Sequence, residues 1–208
     1  MMTAQRLLLP LIPRSFKHYC TTAPGPPRKM SALVWMDLEM TGLDYKHDRI
    51  MEIACLITDN SMNIIAEGPH LIINQPQSLL DGMNEWCTTT HTQTGLLELC
   101  KTSKITEEAA EKELMSFLRQ HVKEKASPLA GNSVYMDRLF LKEYMPKIDD
   151  YLHYRIIDVS TCKELCKRWN GSIFAKAPEK KLVHRGMDDI KESIEELKYY
   201  KRFMFTKN

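Results

Sequence analysis

Residues 34–43, with the sequence Val34-Trp-Met-Asp37-Leu-Glu39-Met-Thr-Gly-Leu43, determine how this 208-residue chain is expected to fold. Successive side chains of a β-strand point to opposite faces, so Asp37 and Glu39 should share a face while Leu38 points away from it. Two adjacent carboxylates repel each other, and a bound cation removes that repulsion. Oxygen ligands of this kind suit Mg²⁺ or Mn²⁺, although a strand end that reaches solvent can also display two acids without a metal.

A second acidic motif, His184-Arg-Gly-Met-Asp188-Asp189, lies near the other end of the chain. Five residues of α-helix rotate by about 500°, which would place His184 and Asp189 about 140° apart on one helix. The two side chains can therefore meet only if His184 lies in the loop before the helix. The alternative is that Asp188 and Asp189 merely favour the helix dipole and that the histidine is structural.

The pattern of apolar residues predicts five strands and several helices between these motifs. The strands are expected at Ala32–Met36, Met51–Thr58, Asn63–Asn74 (bent at Gly68-Pro69), Pro128–Gly131 and Ile156–Val159. One amphipathic helix should cover residues 106–121, with Ile105, Ala109, Leu114, Phe117 and Leu118 on one side. Further helices are expected over Asp137–Met145, from a capping box formed by Thr161 and Glu164, and around Met187, Ile190, Ile194 and Leu197. This order predicts an α/β fold in which helices flank a mixed five-stranded sheet.

The charge distribution separates residues 1–30 from the rest of the chain. The formal net charge is +2, and residues 1–30 contain five basic residues and no acid, so residues 31–208 carry a net charge of −3. A mildly acidic body is not typical of a protein that follows long nucleic acid, because counterion release favours extended basic surfaces. The six cysteines form no CxxC pair and are expected to be reduced and mostly buried.

Residues 1–30 have the composition of a mitochondrial transit peptide, with basic and hydroxyl residues, a short apolar stretch and no acids. Pro10 and Pro13 interrupt that stretch, which disfavours a secretory core. A tail without a targeting role is the alternative. Met30 offers a second start that would yield a cytosolic form, and residues 31–208 are expected to form one domain. No apolar run reaches the roughly 20 residues that a membrane span needs.

Three elements together resemble the DEDDh exonucleases, which have an RNase H-like fold. They are the pair Asp37 and Glu39, then Asp137 after Gly131-Asn-Ser133, and finally His184 with Asp189. Longer motifs resemble the oligoribonuclease family, in its eukaryotic mitochondrial and cytosolic form, from about Val34 to Phe203. These motifs are Asp37-Leu-Glu-Met-Thr-Gly-Leu-Asp44, Ala66-Glu-Gly-Pro69, Trp86 with His91, Gly131-Asn-Ser133, His153-Tyr-Arg-Ile-Ile-Asp-Val-Ser-Thr161 and Lys163-Glu-Leu165.

One departure from the family pattern lies in the last motif. The family usually has H-x-A-L-D-D, whereas Gly186 and Met187 stand here in place of the Ala and Leu. A glycine at the start of the helix is expected to loosen the His184 loop, at a cost of about 1 kcal/mol relative to alanine. The rate of the reaction would be affected, but the chemistry would not, because His184 and Asp189 are intact.

The resemblance implies a 3′→5′ exoribonuclease that degrades very short RNA, especially dinucleotides, to nucleoside 5′-monophosphates, with short DNA as a further candidate substrate. Two divalent ions, Mg²⁺ or Mn²⁺, would be held by Asp37, Glu39, Asp137 and Asp189. His184 would be the general base. A catalytically inactive RNA-binding module is a rival interpretation, which the intact acids and His184 disfavour. A nucleotide-binding ATPase is excluded by the lack of a GxxxxGK loop.

The resemblance also implies which residues contact the RNA. Leu43 would wedge against the bases and Trp86 would stack near them, with His91 and Ser133 close by. A cap on the 5′ phosphate, formed by Tyr154, Arg155, Ser160 and Thr161, would come from the second subunit of a homodimer and would exclude longer chains. Tyr154 would also have a role in the active site. The alternatives are that Trp86 belongs to the core and that Arg155 is an ion-pair partner. An exonuclease acting on longer RNA or on DNA is the nearest rival function.

Overall fold

A five-stranded sheet forms the centre of the part of the chain that the structure describes. The computed structural model describes residues 32–180 and 184–205, so the predicted leader 1–30 and the start at Met30 lie outside the described residues. Five strands form the sheet in the order β3-β2-β1-β4-β5. They are β1 (Leu33–Met40), β2 (Ile50–Thr58), β3 (Ile64–Ile72), β4 (Pro128–Gly131) and β5 (His153–Asp158). The strands β1, β2 and β3 pair antiparallel, whereas β4 is parallel to both β1 and β5, which confirms the predicted mixed sheet.

Two strands are longer than the sequence predicted. β1 continues to Met40 and therefore includes both carboxylates of the first motif. β5 begins at His153 rather than at Ile156 and ends at Asp158 rather than at Val159. The apolar residues mark only the buried part of each strand, and the polar ends continue the ladder beyond it.

The helices are α1 (Gln77–Asp81), α2 (Glu85–Gln93), α3 (Leu96–Thr102), α4 (Glu107–His121), α5 (Tyr135–Tyr144), α6 (Pro146–Tyr151), α7 (Val159–Trp169), α8 (Gly171–Phe174) and α9 (Gly186–Tyr200). A π-helical segment, Lys201–Phe205, continues α9. The helices α1 to α3 were not predicted, because their segment buries few apolar side chains and its helical period is weak. None of the helices in the described ranges is both long enough and apolar enough to span a membrane.

The core has one layer on each face of the sheet. Val34, Met36 and Leu38 of β1 pack in one cluster with buried residues of α4, α5 and α6. Trp35 points to the other face and packs with residues of α7 and α9. Asp37 and Glu39 are in phase with Trp35, so strand alternation directs them to the face covered by α9.

The buried face of α4 differs by one residue from the predicted one. Thr106 caps the helix by accepting a hydrogen bond from the Ala109 backbone N–H at 3.1 Å. Ala109 is exposed, whereas the buried apolar side chains are Ala110, Leu114, Met115 and Leu118. One residue turns the helix by about 100°, which is enough to move a side chain from the core to solvent.

The start of α7 also differs from the prediction. The helix begins at Val159, and its cap is Asp158, whose carboxylate accepts a hydrogen bond from the Ser160 backbone N–H at 2.9 Å. Thr161 is exposed in the first turn, so the predicted capping box with Glu164 was wrong. Because β5 runs directly into the helix, the residue that ends the strand also caps the helix.

We predict that Asp158→Ala lowers the free energy of unfolding by about 1–2 kcal/mol, because it removes a cap from α7. The same carboxylate accepts a hydrogen bond from the Ser133 backbone N–H at 3.1 Å, so the loop after β4 loses a partner too. Urea unfolding followed by circular dichroism would measure the change. Thr161→Ala is the matched control and should change the free energy by less than about 0.5 kcal/mol. An equal loss in both variants would contradict this assignment of the cap.

Candidate active site

Three carboxylates meet where β1 ends. One oxygen of each of Asp37, Glu39 and Asp189 can be chosen so that all three atoms lie within 4.8 Å of one another. β1 supplies the first two on one face, and the first turn of α9 supplies the third. Residues 150 positions apart in the sequence are thus brought together by the packing of α9 against β1 and β2.

Asp137 lies beside this group. Among the described residues, it is not one of the three acids whose oxygen atoms lie within 4.8 Å of one another. It stands in the first turn of α5, is buried, and accepts a hydrogen bond from the Leu38 backbone N–H at 2.9 Å. Asp137 therefore adjoins the strand between the two β1 carboxylates. Its role as a fourth metal ligand stays a prediction.

The electrostatics of the carboxylates fit a bound cation. Burial raises the pKa of Asp37 well above its usual range, and the charges of Asp137, Glu39 and Asp189 raise it further. Burial and the charges of Glu52 and Asp189 raise the pKa of Glu39 to about 8. Burial also raises the pKa of Asp137 to about 7. Such acids are unfavourable as anions unless positive charge is supplied, and their hard oxygen atoms are the donors that Mg²⁺ and Mn²⁺ prefer.

His184 lies in the loop immediately before α9, as its spacing from Asp189 predicted. Its backbone adopts a φ of +52°, which a residue with a side chain rarely adopts. Its ring stands edge-on to Trp86, with 5.7 Å between the ring centroids. The next residue is tied to the carboxylates, because the Arg185 backbone N–H donates to Asp189 Oδ2 at 2.9 Å.

A buried acid of β2 supports this loop, and the sequence analysis missed it. Glu52 is fully buried, and its Oε1 accepts a hydrogen bond from the Gly186 backbone N–H at 2.9 Å. His70 Nε2 lies 2.5 Å from the same oxygen, and Arg185 Nε lies 3.3 Å from Oε2. Burial alone would raise the pKa of Glu52, but the hydrogen bond from His70 and the charge of Arg185 outweigh it and lower the pKa. The sequence did offer one indication of this role, because Glu52 is the single charged residue in the otherwise apolar strand β2.

Gly186 allows the helix to approach the sheet closely. A Cβ atom added there would lie 3.0 Å from Ala54 Cβ and 3.2 Å from the Asp37 carbonyl oxygen. The glycine that departs from the family pattern therefore lies at a tight contact of α9 with β1 and β2. The expected loosening of the His184 loop stays a prediction.

A cleft of about 400 Å³ opens beside the carboxylates. Its lining consists of residues from the end of β1, the following loop and α2: Leu38, Glu39, Met40, Gly42, Leu43, Asn84, Trp86, Cys87 and His91. Trp86 is 61% exposed, so the alternative that it belongs to the core is wrong. Leu43 is also exposed, whereas His91 is buried and its Nε2 hydrogen-bonds to the Met40 carbonyl oxygen at 2.9 Å. The predicted RNA contacts Leu43, Trp86 and His91 therefore line one cleft.

The loop that presents Leu43 is organised by Asp48. Its carboxylate accepts hydrogen bonds from the Thr41 hydroxyl and from the Asp44 backbone N–H, both at 2.9 Å. A Cβ atom added to Gly42 would collide with the same carboxylate, so a larger residue there would displace the Asp48 side chain from these hydrogen bonds. The sequence analysis did not single out Thr41 or Asp48.

Ser133, predicted to lie close to the RNA, and Ser160, a predicted phosphate contact, lie together where parallel strands end. Ser133 follows β4, and Ser160 lies in the first turn of α7 after β5. Their Oγ atoms are 3.1 Å apart, and the Ser133 backbone N–H donates to Ser160 Oγ at 2.9 Å. Thr161 is the next residue of α7 and is exposed. β1, β4 and β5 are parallel, so these hydroxyls lie at the same edge of the sheet as the carboxylates.

Tyr154 and Arg155 lie at the opposite end of β5. Tyr154 precedes Asp158 by four residues, or about 13 Å along the strand, and Arg155 precedes it by three. Tyr154 is 72% exposed. The Arg155 guanidinium lies over the Tyr154 ring, 4.9 Å from its centroid, and Arg155 forms no ion pair with a residue in the described ranges. The structure thus groups the other predicted site residues at one sheet edge but does not bring these two to the carboxylates of their own chain.

Comparison with known proteins identifies a matching family model and several close relatives. The exonuclease family model matches residues 34–197. The chain is 53% identical over 173 residues to the probable oligoribonuclease of Drosophila melanogaster, which covers 83% of this chain and 82% of that protein. It is 54% identical over 175 residues to the mitochondrial oligoribonuclease of Homo sapiens, covering 84% and 74%. It is also 54% identical over 169 residues to the oligoribonuclease of Haemophilus ducreyi, covering 81% and 92%.

Solved structures share the fold at low sequence identity. A complex of Escherichia coli exonuclease I with single-stranded DNA superposes with a TM-score of 0.65 at 16% identity, covering 84% of this chain and 41% of that one. The exonuclease I of Methylocaldum szegediense gives 0.63 at 15% identity, covering 85% and 41%. This chain thus spans about two fifths of the length of these enzymes. The family model and the close relatives together establish that the chain belongs to the oligoribonuclease family of exonucleases.

Proposed function

We propose that the protein is a 3′→5′ exoribonuclease that hydrolyses very short RNA, especially dinucleotides, to nucleoside 5′-monophosphates. The observation that carries this proposal is the meeting of three carboxylates and His184 beside a cleft whose wall includes Leu43 and Trp86. The names of the close relatives support the same substrate class. Short DNA is a further candidate substrate.

The cofactor in this proposal is a pair of divalent cations, Mg²⁺ or Mn²⁺. Asp37, Glu39 and Asp189 would hold them, with Asp137 as the fourth ligand. The donor set consists of carboxylate oxygens, and the raised pKa values of these acids fit the need for positive charge. When bound, the cations make water more acidic and stabilise negative charge on the leaving oxygen.

His184 is the general base in this proposal. It accepts a proton from the water that attacks the terminal phosphorus, while the bond to the 3′ oxygen of the preceding nucleotide breaks. Imidazole is suited to this role because it exchanges protons near neutral pH. The edge-on contact with Trp86 would link the orientation of the His184 ring to the wall of the cleft, where an aromatic ring offers a base a stacking surface.

A homodimer completes the proposed substrate site. Tyr154 and Arg155 are exposed and lie far along β5 from their own chain's carboxylates, which fits a role in the neighbouring subunit's site. In the neighbouring subunit's site they would cap the 5′ phosphate together with Ser160 and Thr161. Tyr154 would also approach the reacting groups there, and Ser133 would lie close to the RNA. An arginine fork and a helix amino end both favour phosphate binding. A closed cap of this kind excludes longer chains.

A mitochondrial location is part of the proposal. The relatives from Homo sapiens, Bos taurus and Mus musculus are named mitochondrial oligoribonucleases. Residues 1–30 would act as the import signal. The cytosolic form that starts at Met30 stays a prediction from the sequence.

The length preference tests the proposed function. We expect the purified protein with Mg²⁺ to hydrolyse 5′-phosphorylated RNA of two nucleotides with a kcat/KM about tenfold to a hundredfold above that for ten nucleotides. One charged hydrogen bond to the 5′ phosphate contributes about 1.5–3 kcal/mol, which corresponds to such a ratio. Substrates of three and five nucleotides should fall in between. Arg155→Ala should lower kcat/KM for the dinucleotide and leave that for the ten-mer unchanged, with Asp189→Ala as the inactive control. Equal cleavage of the ten-mer would favour the general-exonuclease alternative.

Removing the proposed base should separate chemistry from metal binding. We predict that His184→Ala lowers kcat by about 10²- to 10⁴-fold, the usual contribution of general base catalysis. Mn²⁺ binding, measured by isothermal titration calorimetry, should change little because the carboxylates remain. His121→Ala on α4 is a control histidine and should keep full turnover. Near-native turnover of His184→Ala would rule out this assignment.

The raised carboxylate pKa values predict how pH affects the metal-free protein. Between the unfolded pKa of about 4 and the folded pKa of Glu39, about 8, the folded protein holds protons that the unfolded chain has lost. The stability of the metal-free protein should therefore fall as pH rises through this window. Added Mn²⁺ should raise the melting temperature, and more at pH 8 than at pH 6, as measured by calorimetry. The same increase in Asp37→Asn would show that the cation binds elsewhere.

A further inference from the structure

We propose that Glu52 is a positioning residue that holds the His184 loop over the carboxylates. This inference rests on the proposed function, because it assigns Glu52 an effect on the reaction only through His184. Glu52 does not face the substrate cleft: it lies on β2 opposite Glu39 of β1, and its carboxylate points to the amino end of α9.

Glu52 contacts both residues that follow His184. Oε1 accepts the hydrogen bond from the Gly186 backbone N–H at 2.9 Å, and Oε2 lies 3.3 Å from Arg185 Nε. His70 Nε2, 2.5 Å from Oε1, joins the group from the edge strand β3. A side chain in the centre of the sheet thus fixes the first turn of α9 at two points.

These contacts oppose any relaxation of the loop. His184 has a left-handed backbone conformation that a residue with a side chain rarely adopts. Such a conformation persists where the surrounding contacts determine it. The Arg185 backbone N–H is held by Asp189, and its side chain is held by Glu52, so the residue after His184 is fixed on both sides.

Glu52 is fully buried. Within the described structure, neither Glu52 Oε2 nor Arg185 Nε has a hydrogen-bond partner of good geometry. Their 3.3 Å ion pair is therefore the interaction that offsets the burial of both atoms. Removing the carboxylate would leave the half-buried Arg185 guanidinium and the buried Gly186 N–H without their acceptor. The most direct relief is a movement of the loop, which carries His184 away from the attacking water. A misplacement of about 1 Å lowers a rate by about a hundredfold.

A purely structural ion pair is the alternative, and a matched control distinguishes it. Glu111 of α4 is also buried, and it accepts the Lys147 backbone N–H at 2.8 Å and pairs with Lys147 Nζ at 3.0 Å. It lies in the core layer on the other face of the sheet from α9. Glu111→Ala therefore removes a comparable buried acid without touching the His184 loop.

The first part of the experiment compares Glu52→Ala with Glu111→Ala in the full-length protein, using a 5′-phosphorylated RNA dinucleotide. We expect Glu52→Ala to lower kcat, measured at saturating Mn²⁺, by about tenfold to a hundredfold, with KM for the dinucleotide within about threefold of the wild type. Glu111→Ala should keep its kcat at a temperature where both variants are folded. Glu52→Gln, which keeps the volume and one acceptor for Gly186, serves if Glu52→Ala does not fold, and should show a smaller loss in kcat. Equal kcat for the Glu52 and Glu111 variants would overturn the inference.

The second part is a double-mutant cycle with His184→Ala. If Glu52 acts only through His184, Glu52→Ala should cause no further loss of the residual kcat in the His184→Ala background. A loss of the same factor in both backgrounds would overturn the positioning role while leaving the base assignment intact. If His184→Ala alone retains near-native turnover, the assignment of the base fails, and the inference about Glu52 fails with it, whereas the proposed function fails only if the wild type does not hydrolyse the dinucleotide.

Discussion

The other features of the site depend on the mutual repulsion of the carboxylates at the end of β1. Asp37, Glu39 and Asp189 are held together by elements that are far apart in the sequence, and burial makes each of their charges costly. The backbone cannot relieve the repulsion, because β1 is the central strand and its alternation is locked by the two core layers. A cation would supply the positive charge that offsets this repulsion, which is why a rigid sheet suits the proposed metal site.

The sheet order explains which groups share the site. β1 pairs antiparallel with β2 and parallel with β4, so its carboxyl end lies beside the start of β2 on one side and the end of β4 on the other. The antiparallel neighbour contributes Glu52, which anchors α9. The parallel neighbours contribute the hydroxyls of Ser133 and Ser160. The antiparallel neighbour of β1 therefore supports the loop of the proposed base, and the parallel strands carry the residues that we propose to lie near the RNA.

The sequence predicted those features whose physical signal is local. Alternation along β1 placed Asp37 and Glu39 on one face, and helical geometry placed His184 in a loop before α9. The cap of α7 was misassigned because Asp158 is both the last residue of a strand and a good cap, and local spacing favoured Thr161. The exposure of Trp86 and the contacts of Glu52 depend on packing between distant segments, which no local pattern encodes. A lone acid in the apolar run of β2 was visible, but its partners were not.

The position of Tyr154 and Arg155 connects the fold to the proposed choice of short substrates. Both residues lie where β5 begins, whereas Ser160 follows the end of β5 and Ser133 follows the end of the parallel strand β4. The two groups are therefore separated by roughly the length of β5. In the proposed site, a longer RNA would extend past Ser133 unless a second copy of the chain closed the site there. We propose that the exposed Tyr154 and Arg155 of another copy close the site in this direction. In this interpretation the limit on substrate length is set by the assembly of two chains, while the chemistry is set by the carboxylates and His184 of one.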